Sequence, residues 1–241
     1  MENKLTGKQY VLISSMLFGL FFGAGNLIFP IILGAKAGKN IIPALIGMLI
    51  TAVGVPLLGI VAMGISRSEG LLHMSGRVSK PYSYFFTCAL YLTIGPFFAI
   101  PRCAATSFTV GINPIVGESH TALWRLIFSA AFFAAVLFFS LRPSNIMESV
   151  GKWLNPIFLV FLGILIVAAL ISPVQSAFSV DPSGDYTSAS FATGFLQGYD
   201  TLDALASLAF GIIVINVIRD HGVKKPESIA KCTVKSGIFS M

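Results

Sequence analysis

One stretch limits what this chain can fold into: Phe21-Phe22-Gly23-Ala24-Gly25-Asn26-Leu27-Ile28-Phe29-Pro30. It lies inside an apolar run over residues 10–33, long enough for a helix to cross a bilayer. Two glycines, an asparagine and a proline fall near the middle of that run, where an unbroken helix is least favoured. A helix opened inside lipid is tolerable only where its bared backbone lines a protein cavity or a polar site. The sequence therefore predicts a helix broken around a small solute or an ion, and a transport role for the break.

Composition fits that reading. The 241 residues are 55% hydrophobic and 11% charged, with a mean hydropathy of +0.85. Soluble domains carry about 25% charged residues, so a multi-span, all-α integral membrane protein is expected. Six spans are predicted, over residues 10–33, 41–65, 82–110, 123–141, 153–171 and 191–218. A seventh begins near Pro226 and stops at Met241 as apolar character starts, which predicts a piece of a longer protein. The first apolar run is too long for a cleaved signal, and no small-residue cleavage site follows it. Twenty-one phenylalanines fit a bundle facing membrane lipid.

The net charge of +6 is scattered through short loops and forms no single basic face, which argues against a nucleic-acid partner. With the N-terminus cytoplasmic, the inner loops hold twelve Lys and Arg and the outer side four, namely Lys36, Lys39, Arg102 and Arg125. That bias places the N-terminus inside. The outer loop over residues 172–190 has Asp181 and Asp185 but no Lys or Arg. Tyr10, Tyr82, Trp124 and Trp153 fall near span ends, as an aromatic belt requires. Cys88, Cys103 and Cys232 show no paired spacing that would point to a disulfide or a metal.

The sixth span repeats the anomaly of the first. It contains Gln197-Gly198-Tyr199-Asp200-Thr201-Leu202-Asp203, with the only acidic residues inside any span. At ~1.5 Å per residue, both breaks come close to mid-membrane. They sit five spans apart and so run in opposite directions, the signature of an inverted-topology repeat. Freed N–H groups at such a break suit a carboxylate, and freed carbonyls suit a cation. Taken alone, Gly23-Ala24-Gly25 reads as a packing notch and Asn26 as an interhelical hydrogen bond. The matched polar break in span six turns the reading to binding. At least one of Asp200 and Asp203 belongs near the pathway, because intramembrane charge is expensive; the alternative is that one of them pairs with Arg102. Span three contains Gly95-Pro96 and Pro101 and is expected to kink. Arg102 beside it reads either as an outer-vestibule charge or as a snorkelling side chain.

Three stretches carry a family resemblance: Phe22-Gly23-Ala24-Gly25-Asn26-Leu27-Ile28-Phe29-Pro30; Leu141-Arg142-Pro143-Ser144 with Gly151-Lys152; and Gly198-Tyr199-Asp200-Thr201-Leu202-Asp203-Ala204-Leu205-Ala206, running on to Ile218-Arg219. The chain resembles the branched-chain amino acid:cation symporters of bacteria, the BrnQ-type carriers. That resemblance implies import of leucine, isoleucine and valine across the plasma membrane, coupled to Na+ or H+, without enzymatic activity. It implies a leucine-transporter-like inverted-repeat bundle with broken helices one and six. Residues 1–172 would form the first five-helix repeat and residues 191–241 the start of the second. Gly23, Ala24, Gly25, Asn26, Gln197, Gly198, Tyr199, Asp200 and Thr201 would meet substrate. Gly19, Phe22, Asn26, Asp200 and Asp203 would meet the cation.

Rival readings exist. Tyr199-Asp200 prompts an intramembrane aspartyl protease, which needs a second carboxylate that spans one to five lack. A divalent-metal carrier would want acidic, sulfur or imidazole ligands, and the first break has none. A transporter of another small solute remains open, as does the choice of sodium or proton.

Overall fold

Capping starts the first helix and glycine ends it. The Thr6 hydroxyl accepts from Gln9 N–H at 3.4 Å while Gln9 Oε1 accepts from Thr6 N–H at 2.7 Å, a reciprocal capping box. The helix runs Gly7–Phe21 (α1) and stops where Phe22 and Gly23 turn extended. A new helix, Ala24–Ala37 (α2), follows at once. The computed structural model describes residues 5–66, 68–116, 120–141, 155–172, 176–223 and 225–240. Arg142, Pro143, Ser144, Gly151 and Lys152, which carry part of the family likeness, lie outside these residues. So do Lys4, Arg67, Trp153 and Lys224.

The remaining helices are Ile41–Leu49 (α3), Val55–Ser66 (α4), Leu71–Ser75 (α5), Lys80–Leu92 (α6), Ala99–Ser107 (α7), Asn113–Val116 (α8), Thr121–Ser140 (α9), Asn155–Ile171 (α10), Ser190–Asp200 (α11), Asp203–Asp220 (α12) and Pro226–Ser240 (α13). No strand occurs among the described residues. The stretches Ala24–Ser66, Lys80–Val116, Thr121–Ser140 and Ser190–Asp220 are long and apolar enough to cross a membrane. None of them is one straight helix except Thr121–Ser140. Gly38, at φ +49°, interrupts the first. Gly95 leaves helical torsions (φ −85°, ψ −112°) beside Pro96 and kinks the second where the sequence predicts. Leu202, at φ +69°, separates α11 from α12.

Backbone-to-backbone packing holds α11 against α3. A Cβ added at Gly194 would lie 1.9 Å from the Ala44 carbonyl oxygen, and one at Gly47 2.2 Å from that of Phe191. At Gly198 it would meet Thr51 Oγ1 at 2.2 Å. Small residues let membrane helices approach closely enough for dispersion to hold them. The Thr51 hydroxyl then donates across the gap to the Phe195 carbonyl at 2.7 Å. A second core joins α1, α4, α12 and α13 through Ile13, Leu17, Phe21, Ile60, Met63, Val214, Ile215 and Ile218. By contrast α9 and α10 present exposed apolar side chains such as Leu126, Leu137, Phe161 and Leu165.

The loop before α11 is tied to the turn after α2. Lys39 N–H donates to the Val180 carbonyl and Ser183 N–H to that of Lys36, both at 2.9 Å. Lys39 Nζ meets Asp181 Oδ1 at 2.6 Å and holds that carboxyl below its usual range. A side chain at Gly38 would lie 2.3 Å from the Val180 oxygen, so both its positive φ and the close approach require glycine.

Gly194→Ala is expected to lower the melting temperature of the detergent-purified full-length protein, since overpacking costs about 1–3 kcal/mol. Gly163→Ala, on the open face of α10 where nothing lies within 4 Å, is the control. Equal melting temperatures for the two variants would contradict the packing described.

Candidate functional site

The two helix breaks meet. Gly25, in the first turn of α2, packs directly on Thr201 at the end of α11: an added Cβ would lie 3.0 Å from Thr201 Cα and 3.2 Å from its carbonyl oxygen. Glycine at this position is what lets the two backbones touch. Sequence spacing separates these residues widely, and the fold places them in contact.

Asn26 links the breaks chemically. Its Oδ1 accepts from Gly23 N–H at 3.0 Å, answering one of the donors freed where α2 begins. That bond fixes the amide, so Nδ2 turns the other way and donates to Asp203 Oδ2 at 2.5 Å. Asp203 is 4% exposed and opens α12, where a carboxylate suits the positive end of the helix dipole. Thr201 bridges the second break itself. Its hydroxyl donates to the Gly198 carbonyl at 2.8 Å and accepts from Asp203 N–H at 3.4 Å. Leu202 between them is the one non-glycine residue at positive φ among the described residues. Such torsions cost of order 1–3 kcal/mol and persist only where neighbours enforce them.

Arg102 completes the junction, and sequence reasoning did not assign it there. The kink at Gly95 carries α7 to the breaks, and the guanidinium donates to the Asp200 carbonyl at 2.5 Å and the Thr201 carbonyl at 3.0 Å. Its Cζ stands 5.7 Å from the Phe29 ring centroid. The available signal was an arginine directly after Pro101 within an apolar run, a position where charge is costly unless answered.

Other predicted residues fall at different distances from this centre. Gly23, Ala24, Gly25, Asn26, Thr201 and Asp203 converge. Asp200 contributes its carbonyl, while the residue itself is exposed. Tyr199 is also exposed. Gly198 sits in the α3 contact, and Gln197 Oε1 accepts from the Tyr186 hydroxyl at 2.6 Å. Burial raises the Tyr186 phenol above its ordinary pKa, so it stays a donor near neutral pH. Gly19 lies within the last turn of α1, and the Phe22 ring meets those of Phe18 and Phe158 in tilted contacts, with centroids 5.1 and 4.8 Å away.

Two cavities of about 310 Å³ flank the Asn26–Asp203 contact. One is walled by Leu20, Gly23, Ala24, Ile94, Arg102 and Phe210, the other by Phe18, Phe22, Asn26, Pro30 and Met48. Asp203 and Thr201 border both. The arrangement offers one carboxylate, helix N-termini and apolar walls within one small volume. Such a mixture can hold a small molecule that is charged at one end and aliphatic at the other.

Residues 6–241 match the family model described as branched-chain amino acid transport protein. The chain belongs to that family. It is 55% identical to the branched-chain amino acid permease BrnQ of Lactobacillus delbrueckii subsp. lactis over 241 residues, all of this chain and 54% of that protein. It is 44% identical to the permease BrnQ of Bacillus subtilis (strain 168), covering all of this chain and 54% of that one. Against the branched-chain amino acid transport system 3 carrier protein of Pseudomonas aeruginosa it is 40% identical, over 99% of this chain and 53% of the relative. The chain thus spans about half the length of the curated relatives it matches. No solved structure matches it. Membership of this transport family bears out the resemblance drawn from the sequence and sets aside the protease reading. With its long apolar helices, it makes the chain a multi-pass membrane protein.

The Asn26–Asp203 bond is testable by a double-mutant cycle with Asn26→Ala and Asp203→Ala, read as thermal stability of the full-length protein. Contacting residues couple by about 0.5–3 kcal/mol. A coupling indistinguishable from zero would show that the two side chains do not interact.

Proposed function

We propose that this chain carries the substrate-binding junction of a secondary active transporter that imports leucine, isoleucine and valine across the bacterial plasma membrane, together with sodium or a proton. The observation that carries the reading is the meeting of the two helix breaks at Gly25 and Thr201, beside a cavity with one carboxylate and aliphatic walls. The names of the relatives supply the substrate class, and the geometry is suited to it.

In this reading the substrate carboxylate meets the backbone N–H groups of Ala24 and Gly25, at the positive end of α2. Its branched side chain lies against Leu20, Ile94 and Phe210. Asp203, Asn26 and the carbonyls at Gly19 and Phe22 are the groups available to the coupling cation. The whole protein would be a leucine-transporter-like inverted repeat, with residues 1–172 as its first repeat and residues 191–241 opening the second. Its N-terminus would be cytoplasmic, and α9 and α10 would face lipid through their exposed apolar side chains.

Labelled-leucine uptake into vesicles containing the full-length protein tests this directly. Uptake is expected to saturate, to vanish when the driving gradient is collapsed, and to fall when choline replaces sodium. Uptake that ignores sodium and follows an imposed pH gradient assigns the coupling to protons instead. Gly25→Leu is expected to abolish uptake, because its side chain would be driven into Thr201 and Arg102. Wild-type uptake by that variant would place the site elsewhere.

A further inference from the structure

The Arg102 guanidinium has an unusual set of partners. Its two terminal nitrogens donate to main-chain carbonyls at Asp200 and Thr201. Its Nε is enclosed without a hydrogen-bond partner. Among the described residues no carboxylate lies within ion-pairing distance of it, although two acidic residues flank the same break. Asp200 is exposed, and the Asp203 carboxylate accepts from Asn26. The charge is therefore answered by carbonyl dipoles at the C-terminal end of α11. That end of a helix carries the equivalent of about half a negative charge. Unwound carbonyls at a half-helix C-terminus are the chemistry by which broken membrane helices seat a free monovalent cation.

We propose that Arg102 is a tethered cation: its guanidinium fills the carbonyl seat at the end of α11 in place of a free ion, and so clamps α11 and α7 against the start of α2. Gly25 is the floor of that seat, since a Cβ there would come within 3.1 Å of Arg102 Nη2. Phe29, also on α2, faces the guanidinium from the same side. The planar fork matters because each of the two carbonyls is met by its own terminal nitrogen at a fixed separation, whereas an ammonium would have to serve both from one nitrogen. As for transport, where the inference rests on the reading above, a co-transported cation must then use Asp203, Asn26 or the α1 carbonyls, and the Asp200–Thr201 seat is already taken. Arg102 is thus a positioning residue, acting through the backbone of the break.

Chemical rescue in the full-length protein tests this. Arg102→Ala is expected to lower the melting temperature and to reduce leucine uptake about tenfold, the factor set by losing ~1.4 kcal/mol. Methylguanidinium, at millimolar concentration far below denaturing levels, is expected to raise the melting temperature of this variant without raising that of the wild type. Sodium, the kind of ion such a carbonyl seat otherwise holds, is expected to recover part of the loss, and choline, which is bulky and has no N–H donor, none. Arg102→Lys should fall between wild type and Arg102→Ala. If Arg102→Ala cannot be purified, Arg102→Gln carries the same titration. Wild-type stability and uptake in the variant would overturn the proposal. So would a loss that methylguanidinium does not recover, or equal recovery by choline. A wild-type protein that takes up no leucine, with the thermal rescue intact, would sink the transport reading alone. Leucine uptake without thermal rescue would sink this one alone.

Discussion

Backbone groups bared inside a membrane have no water to turn to, so the protein itself must answer every one that a helix break exposes. The rest of this structure depends on that constraint. Two breaks, at Phe22–Gly23 and Thr201–Leu202, release donors and acceptors at one place, and several of them are met by side chains from another helix or from the break itself. Asn26 returns to the Gly23 N–H, Thr201 bridges Gly198 and Asp203, and Arg102 reaches in to the last carbonyls of α11. The kink at Gly95-Pro96 directly precedes α7, the helix from which Arg102 reaches the junction.

The junction also separates charge. The starts of α2 and α12 present N–H groups, and the end of α11 presents carbonyls. Asp203 stands at a positive helix end and Arg102 at a negative one, so each charge is stabilised by the backbone before any ligand arrives. A zwitterionic amino acid carries the same two signs on one small skeleton. A site already polarised in this way can orient such a molecule without large rearrangement of its own groups.

The positions of both breaks were legible in the sequence because glycine, asparagine and proline are costly inside an apolar helix. The pairing of the breaks was legible from their matched depth. Asp203 was legible for a related reason: a carboxylate at such a position needs a purpose. Arg102 was not, because its role depends on how far one kink swings α7, a tertiary quantity that composition does not encode. Gly198 and Gln197 are engaged away from the junction in this structure. They are polar or small and adjacent to the break, yet packing against Thr51 and a bond to Tyr186 occupy them. Adjacency in sequence could not reveal that α11 turns one face to the site and another to α3. The tie between the loop before α11 and the turn at Gly38 was invisible too, since it joins residues more than a hundred apart through main-chain bonds.

Close backbone contact between α3 and α11 has a mechanical consequence. Glycine-on-carbonyl contacts leave no flexible side chain in the seam, so neither helix can slide or roll past the other without collision. The pair behaves as a single lever. Its ends carry the torsions that depart from the helix, at Gly38 and at Leu202. Leu202 is held in a conformation its side chain disfavours and has something to gain by letting go. An opening of the junction that kept the seam between α3 and α11 would have to be taken up by torsions outside it, such as that at Leu202.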